Sequence, residues 1–282
     1  MMNKNKKYYG WNTLTLSDSK THMSSQNEII LGPGDPDPVS IYNEQYVESS
    51  PVLLLCDHAS NIIPQKLGTL GLTKEILNQH IALDIGTDII GPYLSNALKA
   101  PIVMAGFSRL VVDLNREPNQ SFSIPKVSDN IQIPANCNLS ETQKKTRITE
   151  IYTPYHQCIA NCLDRIKTHT STPLIVSIHS FTPVIDGEQR DTEIGILWDK
   201  NETISKKMID HLSQNNPGLI IGNNAPYSLK KSPTLNHTIN NLPLAEQKNS
   251  ILVEFRQDLI KDDAGAKTYA DIFLQALQDI YP

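Results

Sequence analysis

The sequence predicts an α/β fold built on a single mixed, mostly parallel sheet with helices on both faces. Three observations carry this. The chain has 282 residues, long for one domain and short for two. Short runs rich in Val, Ile and Leu alternate with stretches of helical period. The density of Val, Ile and Leu in those runs suits strands buried on both faces. The composition, 39% hydrophobic and 20% charged, is enough to bury a core and is unlike that of a disordered chain.

Residues 1–28 are polar, rich in Lys, Ser, Thr and Asn, and without a sustained period, so they are expected to form a flexible extension. Lys4, Lys6 and Lys7 lead into Tyr-Gly-Trp-Asn-Thr, with no apolar stretch of the kind a secretory signal needs. The segment Gly32-Pro33-Gly34-Asp35-Pro36-Asp37-Pro38 is turn chemistry, and its glycines neither follow a strand nor open a helix, so no nucleotide loop is indicated. A single domain is expected over 29–282, its compact part starting near Val39. Strands are predicted at 51–57, 101–105, 109–113, 173–179, 193–198, 218–221 and 250–256.

Helices are predicted where apolar residues recur on one face: Ile89 to Leu98, Ile148 to Ile166 with a kink or break at Pro154, and Tyr269 to Ile280. Thr73, Ser140 and Asn201 are suitable caps. The stretch from Gly222 to Asn249 has no period and is too long for an idle connection. No internal repeat is present.

The net charge of −5, from 25 Lys+Arg against 30 Asp+Glu, offers no field for nucleic acid or anionic lipid. The longest early apolar run, Val52 to Cys56, is far shorter than the roughly 20 residues a membrane helix needs. Cys56, Cys137, Cys158 and Cys162 form no CxxC pair and are expected to be reduced thiols of a cytoplasmic protein.

Ligands of an open parallel sheet bind at the carboxyl ends of its strands. There the sequence supplies Asp57-His58-Ala59-Ser60-Asn61, Asp113-Leu114-Asn115-Arg116, His179-Ser180, and Glu254-Phe255-Arg256. Imidazoles at two strand ends suit Zn²⁺ with an open position for water. An ionised Glu254 in a buried strand is costly unless paired, and Arg256 is the structural partner to consider. His80 and Asp84 have the spacing to share one side of a helix, a weak metal signal. His22, His169 and His211 read as surface residues.

Taken together, the segments from Cys56 to Pro64, His80 to Thr87, Ser108 to Arg116, Ser177 to Pro183, Asn224 to Tyr227 and Val253 to Ile260 resemble the N-formylglutamate amidohydrolases, over about residues 30–275. That family is similar to the zinc carboxypeptidase and aspartoacylase group, which implies a zinc-exopeptidase-like (phosphorylase/hydrolase-like) fold with one zinc at the sheet edge. By position, the resemblance implies His58 and His179 as zinc ligands and Arg109 as polariser of the scissile carbonyl. It implies Asn115 and Arg116 as a carboxylate clamp and Glu254 as general base. The wider group has His-x-x-Glu as its first metal motif, whereas Asn61 stands three after His58, so Asn61, Asp84 and His237 are candidates for the third ligand. The implied substrate is a small N-acyl amino acid, formyl first among the acyl groups. The alternatives are another N-acyl amino acid or peptide, and a non-catalytic protein that binds a small dicarboxylate.

Overall fold

Seven strands make the central sheet of the computed structural model, which describes residues 29–281. The extension expected over 1–28, with His22, lies outside the described residues. The strands are β1 (Val39–Tyr42), β2 (Val52–Cys56), β3 (Ile102–Ala105), β4 (Leu174–Phe181), β5 (Ile194–Leu197), β6 (Ile221–Asn223) and β7 (Ser250–Arg256). Their spatial order is β1-β3-β2-β4-β7-β5-β6. Pairing is parallel from β3 through β2 and β4 to β7, and between β5 and β6. It is antiparallel between β1 and β3 and between β7 and β5. The sheet is therefore mixed, its mostly parallel pairing being what the Val/Ile/Leu-rich runs predict, and the four central strands end on one edge.

Alternation along those strands divides the core in two. Leu53, Leu55, Val103 and Ile175 face one side, where they meet Ile151, Tyr155, Ile159, Leu163 and Ile166. The latter belong to a helix that runs from α1 (Glu141–Arg147) through a π turn at Ile148–Tyr152 into α2 (Thr153–Ile166). The π turn sits where the sequence predicts a kink. Pro154 has no N–H for the carbonyl one turn back, and widening that turn lets the helix continue across it. On the other side Leu54, Cys56, Val176, Ile178, Val253 and Phe255 pack against α3 (Thr87–Leu98), α4 (Glu202–Asn215) and α5 (Asp263–Ile280). Thr73 and Ser140 cap as expected, Ser140 within a capping box. The Asn201 side chain instead donates to the Ser250 carbonyl and accepts from Asp199 N–H.

The expected strand at 109–113 is absent. Leu110, Val111 and Val112 are buried in the α2-side core, but among the described residues no strand pairs with them, and the segment is irregular. Side chains serve its backbone: Asn136 donates to Leu110 O, and Arg147 donates to Val111 O. A buried loop carries the same apolar run as a buried strand, which is why the pattern misleads. Likewise residues 78–86 form turns rather than a helix, so His80 and Asp84 part company. The edge strand β1 has half-buried residues throughout and left no apolar run to read. The strand expected at 218–221 lies at 221–223. Among the described residues no helix is long and apolar enough to cross a membrane, and Cys56, Cys137, Cys158 and Cys162 are all free.

Candidate metal centre and active site

At the carboxyl edge of the sheet, His58 follows β2, His179 lies near the end of β4, and Asp84 comes from the turns before α3. Asp84 Oδ2 is 3.3 Å from His58 Nδ1 and 2.9 Å from His179 Nδ1. The metal-binding atoms of the three residues lie within 4.8 Å of one another, and all three residues are buried. Ligand atoms about 2.0 Å from a tetrahedral zinc stand about 3.3 Å apart, so the two short edges fit such an ion.

The outer faces of both imidazoles support the same use. His58 Nε2 is 2.8 Å from Asp113 Oδ1; His179 Nε2 is 3.0 Å from Ser177 Oγ and 3.6 Å from Asp57 Oδ2. Each ring thus turns Nδ1 inward and has an acceptor behind Nε2, the arrangement that fixes the tautomer of a metal-ligating histidine. Asp57 is held in turn by Tyr155 and Thr238 hydroxyls.

Asp57, Asp84, Asp113 and Glu254 surround two imidazoles and Arg109, so the centre is rich in buried negative charge. Burial opposes charge on both histidines, but the carboxylates outweigh it. The His58 pKa is raised by Asp113 and Asp84 despite the opposing Arg109. That of His179 is raised to about 9, chiefly by Asp84. Burial likewise works against the Asp84 anion, yet His58, His179 and Arg109 hold it well below the usual carboxylate range. Without a metal, protons on the histidines balance the charge; a divalent cation balances it with the same donors, so the residues present fit zinc.

Glu254 pairs in register with His179 across β7 and β4, and so sits on the same face of the sheet. It is 8% exposed, and its Oε2 has no hydrogen-bond partner. Burial pushes its pKa up to about 7 against the pull of His179. Arg256 does not pair with it; that guanidinium holds Asp258 at 2.9 Å. Gly195 of β5 stands opposite Glu254 on the other side. A Cβ at Gly195 would lie 2.2 Å from Ala225 O, so only glycine lets the Asn224-Ala225-Pro226-Tyr227 turn settle there. That turn contains a cis Ala225–Pro226 bond.

Arg109 donates to Asp84 Oδ1 and to Asp113 Oδ2, both at 3.0 Å. With Asp113 and Arg116 it lines a cavity of about 490 Å³, walled by His80, Ile81, Phe122 and Ile185 among others. Arg116 donates to the Asn115 and Thr234 carbonyls and feels the charge of Asp113, but is in no ion pair among the described residues. Asn115 is fully engaged by protein: Nδ2 donates to Leu235 O, and Oδ1 accepts from Thr238 N–H. It thereby ties the loop of Arg116 to the aperiodic stretch, whose segment Pro233–Asn240 covers this edge.

Of the three candidates for a third ligand, the structure brings Asp84 to the histidines. The Asn61 amide donates to Leu77 O and Asn78 Oδ1. His237 Nε2 faces the Tyr152 hydroxyl, and its Nδ1 is 3.9 Å from Glu117. His80 lies on the cavity wall, 3.3 Å from Asp129. His169 is exposed, whereas His211 pairs with Asp279 between α4 and α5. Asp57, Asp113 and Tyr227 are site residues that reading by ligand type passes over. Asp57 and Asp113 adjoin strand-end or loop motifs, so their positions were a usable signal.

The sequence profile of the N-formylglutamate amidohydrolase family matches residues 50–261. A gene product of Agrobacterium tumefaciens of known crystal structure is 31% identical, with 90% of this chain and 100% of that chain covered and a TM-score of 0.82. An N-formylglutamate amidohydrolase from Ralstonia eutropha shares the fold at 14% identity, with 87% and 97% covered and a TM-score of 0.58. Among curated proteins none matches this sequence. The chain therefore belongs to the N-formylglutamate amidohydrolase family and is a hydrolase acting on amide bonds.

Proposed function

We propose that the chain is a zinc-dependent amidohydrolase that removes a short N-acyl group, formyl first, from an amino acid such as N-formylglutamate. The observation that carries this reading is the convergence of His58, Asp84 and His179 with a buried carboxyl, Glu254, beside them on the neighbouring strand. His58, Asp84 and His179 would hold the ion. When bound, zinc polarises the scissile carbonyl and lowers the pKa of a water toward about 7.

Glu254 accepts the proton of the attacking water and returns it to the leaving nitrogen, and a pKa near 7 suits both transfers at neutral pH. Arg109 has five N–H donors and uses two on Asp84 and Asp113, so others can meet the carbonyl oxygen as it gains charge. Arg116, which donates to protein carbonyls and is in no ion pair among the described residues, takes the substrate's α-carboxylate. Asn115 acts by position, holding the covering segment and the Arg116 loop together.

The test is release of formate and glutamate from N-formylglutamate by zinc-loaded protein. Expected are turnover that stops on chelation and returns with zinc, and a loss of about 10²-fold or more in Glu254→Gln with zinc retained. No release from any short N-acyl amino acid by zinc-loaded protein would overturn the reading.

A further inference from the structure

We infer that Arg190 and Tyr227 form a second anion subsite of this cleft, which takes the side-chain carboxylate of a dicarboxylic N-acyl amino acid. The inference rests on the reading of the cleft as an N-acyl amino acid site and adds to it the basis for choosing among such substrates.

Arg109, Arg165 and Arg256 each lie against a carboxylate, and Arg147 is buried against the Val111 carbonyl and Asn136. Arg190 has no acidic partner among the described residues. It is half-buried and is held in place nonetheless. Its NH1 donates to Tyr227 Oη at 2.9 Å and to Thr182 O at 3.4 Å. Its guanidinium carbon lies 4.9 Å from the centre of the Tyr227 ring and 5.8 Å from that of Phe181. A guanidinium stacked on aromatic rings is ordered with most of its donors unspent, ready to meet a planar carboxylate in a bidentate way.

Its place in the fold puts it beside the walls of the cleft. Phe181 is two residues beyond His179 on β4, so both side chains point to the same face, and Arg190 lies over that face. The Arg190 N–H bonds Pro183 O, closing a small hairpin whose Ile185 and Asp186 wall the cavity. Tyr227 comes from the turn seated on Gly195, which stands opposite Glu254. The charge of Arg190 reaches His80 on the same cavity wall, and Tyr227 feels the charges of Glu254 and Asp84. Asp129 and Asp186 on the cavity wall repel an anion; Arg116 feels the charge of Asp113, but neither it nor Arg190 is in an ion pair with a carboxylate among the described residues. An amino acid with two carboxylates satisfies both.

Calorimetry of L-glutamate and L-glutamine binding to the zinc-loaded full chain tests this without requiring turnover, because the two differ only in the side-chain charge. Wild-type protein is expected to prefer glutamate by about 30-fold, the scale of a charge-assisted contact in a shielded site. Arg190→Gln should cut glutamate affinity by a similar factor while changing glutamine affinity by less than about threefold, and Arg190→Lys should recover only part of the preference. Tyr227→Phe, which keeps the ring, should cost glutamate less than Arg190→Gln does. Equal losses for both ligands in Arg190→Gln, or no preference in the wild type, would overturn the subsite. If the preference is present and depends on Arg190 but N-formylglutamate is not hydrolysed, the subsite stands and the proposed reaction fails.

Discussion

Glu254 shows what the site costs the protein. A carboxyl with one unpartnered oxygen, buried and raised to about 7, is more stable protonated. Unfolded, it would titrate near 4.5. The folded pKa lies above the unfolded one, so its contribution is fully present below about pH 4.5 and is lost as pH rises through 7. By that shift the loss amounts to about 3 kcal/mol. Metal-free Glu254→Gln should therefore gain on the wild type in melting temperature between pH 5 and 8, a trend that thermal denaturation across this range would reveal; parallel pH curves would show that the carboxyl carries no such strain. A second expectation concerns Asp113, the acceptor behind His58 Nε2. Asp113→Asn should weaken zinc binding by about 10- to 100-fold, as loss of a partner behind a ligating ring does, and a competition titration with a chelator would measure it.

Elements position these residues in two ways. β4 and β7 place His179 and Glu254 by register, and register follows from the alternation of buried side chains; those strands were legible because each carries an apolar run, Leu174–Val176 and Ile251–Val253. The loop from Arg109 to Arg116 has no such rule. It is held by Asn136, Arg147 and Ser123, whose contacts come from segments up to 36 residues away in sequence, so its residue types could be read but its shape could not. The Tyr227 turn depends on what is missing: at Gly195 and Gly222 a Cβ would lie 2.2 and 2.4 Å from Ala225 O. Gly195→Ala must shift this turn and is expected to destabilise the fold by about 1–3 kcal/mol, the usual cost of forcing an atom into a packed site. It should also lower kcat/KM further than its fraction unfolded explains. Thermal melting beside steady-state kinetics separates the two effects.

Across the whole molecule, the centre joins parts of the chain that the sheet alone only brings near. His58, Asp84 and His179 come from β2, the turns before α3, and β4, and Asp113 and Glu254 add a buried loop and β7. The histidines were legible because each follows or ends an apolar run. Asp84 was one of three open candidates for a third ligand, since nothing local distinguishes it from Asn61 or His237; only the path of the chain through residues 78–86 separates them. An ion held at this junction binds the folded state and not the unfolded one, so zinc at 100 times its dissociation constant should add about 2.7 kcal/mol of stability. Chelation should lower the melting temperature by several degrees, and added zinc should restore it.

The most direct measurement of the centre is zinc content after reconstitution and removal of excess metal, compared among wild type, His58→Ala, Asp84→Ala, His179→Ala and Asn61→Ala, with circular dichroism confirming that each variant is folded. About one zinc per chain is expected in the wild type and in Asn61→Ala, and a loss of most of it in the other three. Full occupancy in folded Asp84→Ala, or its loss in folded Asn61→Ala, would contradict the centre described here.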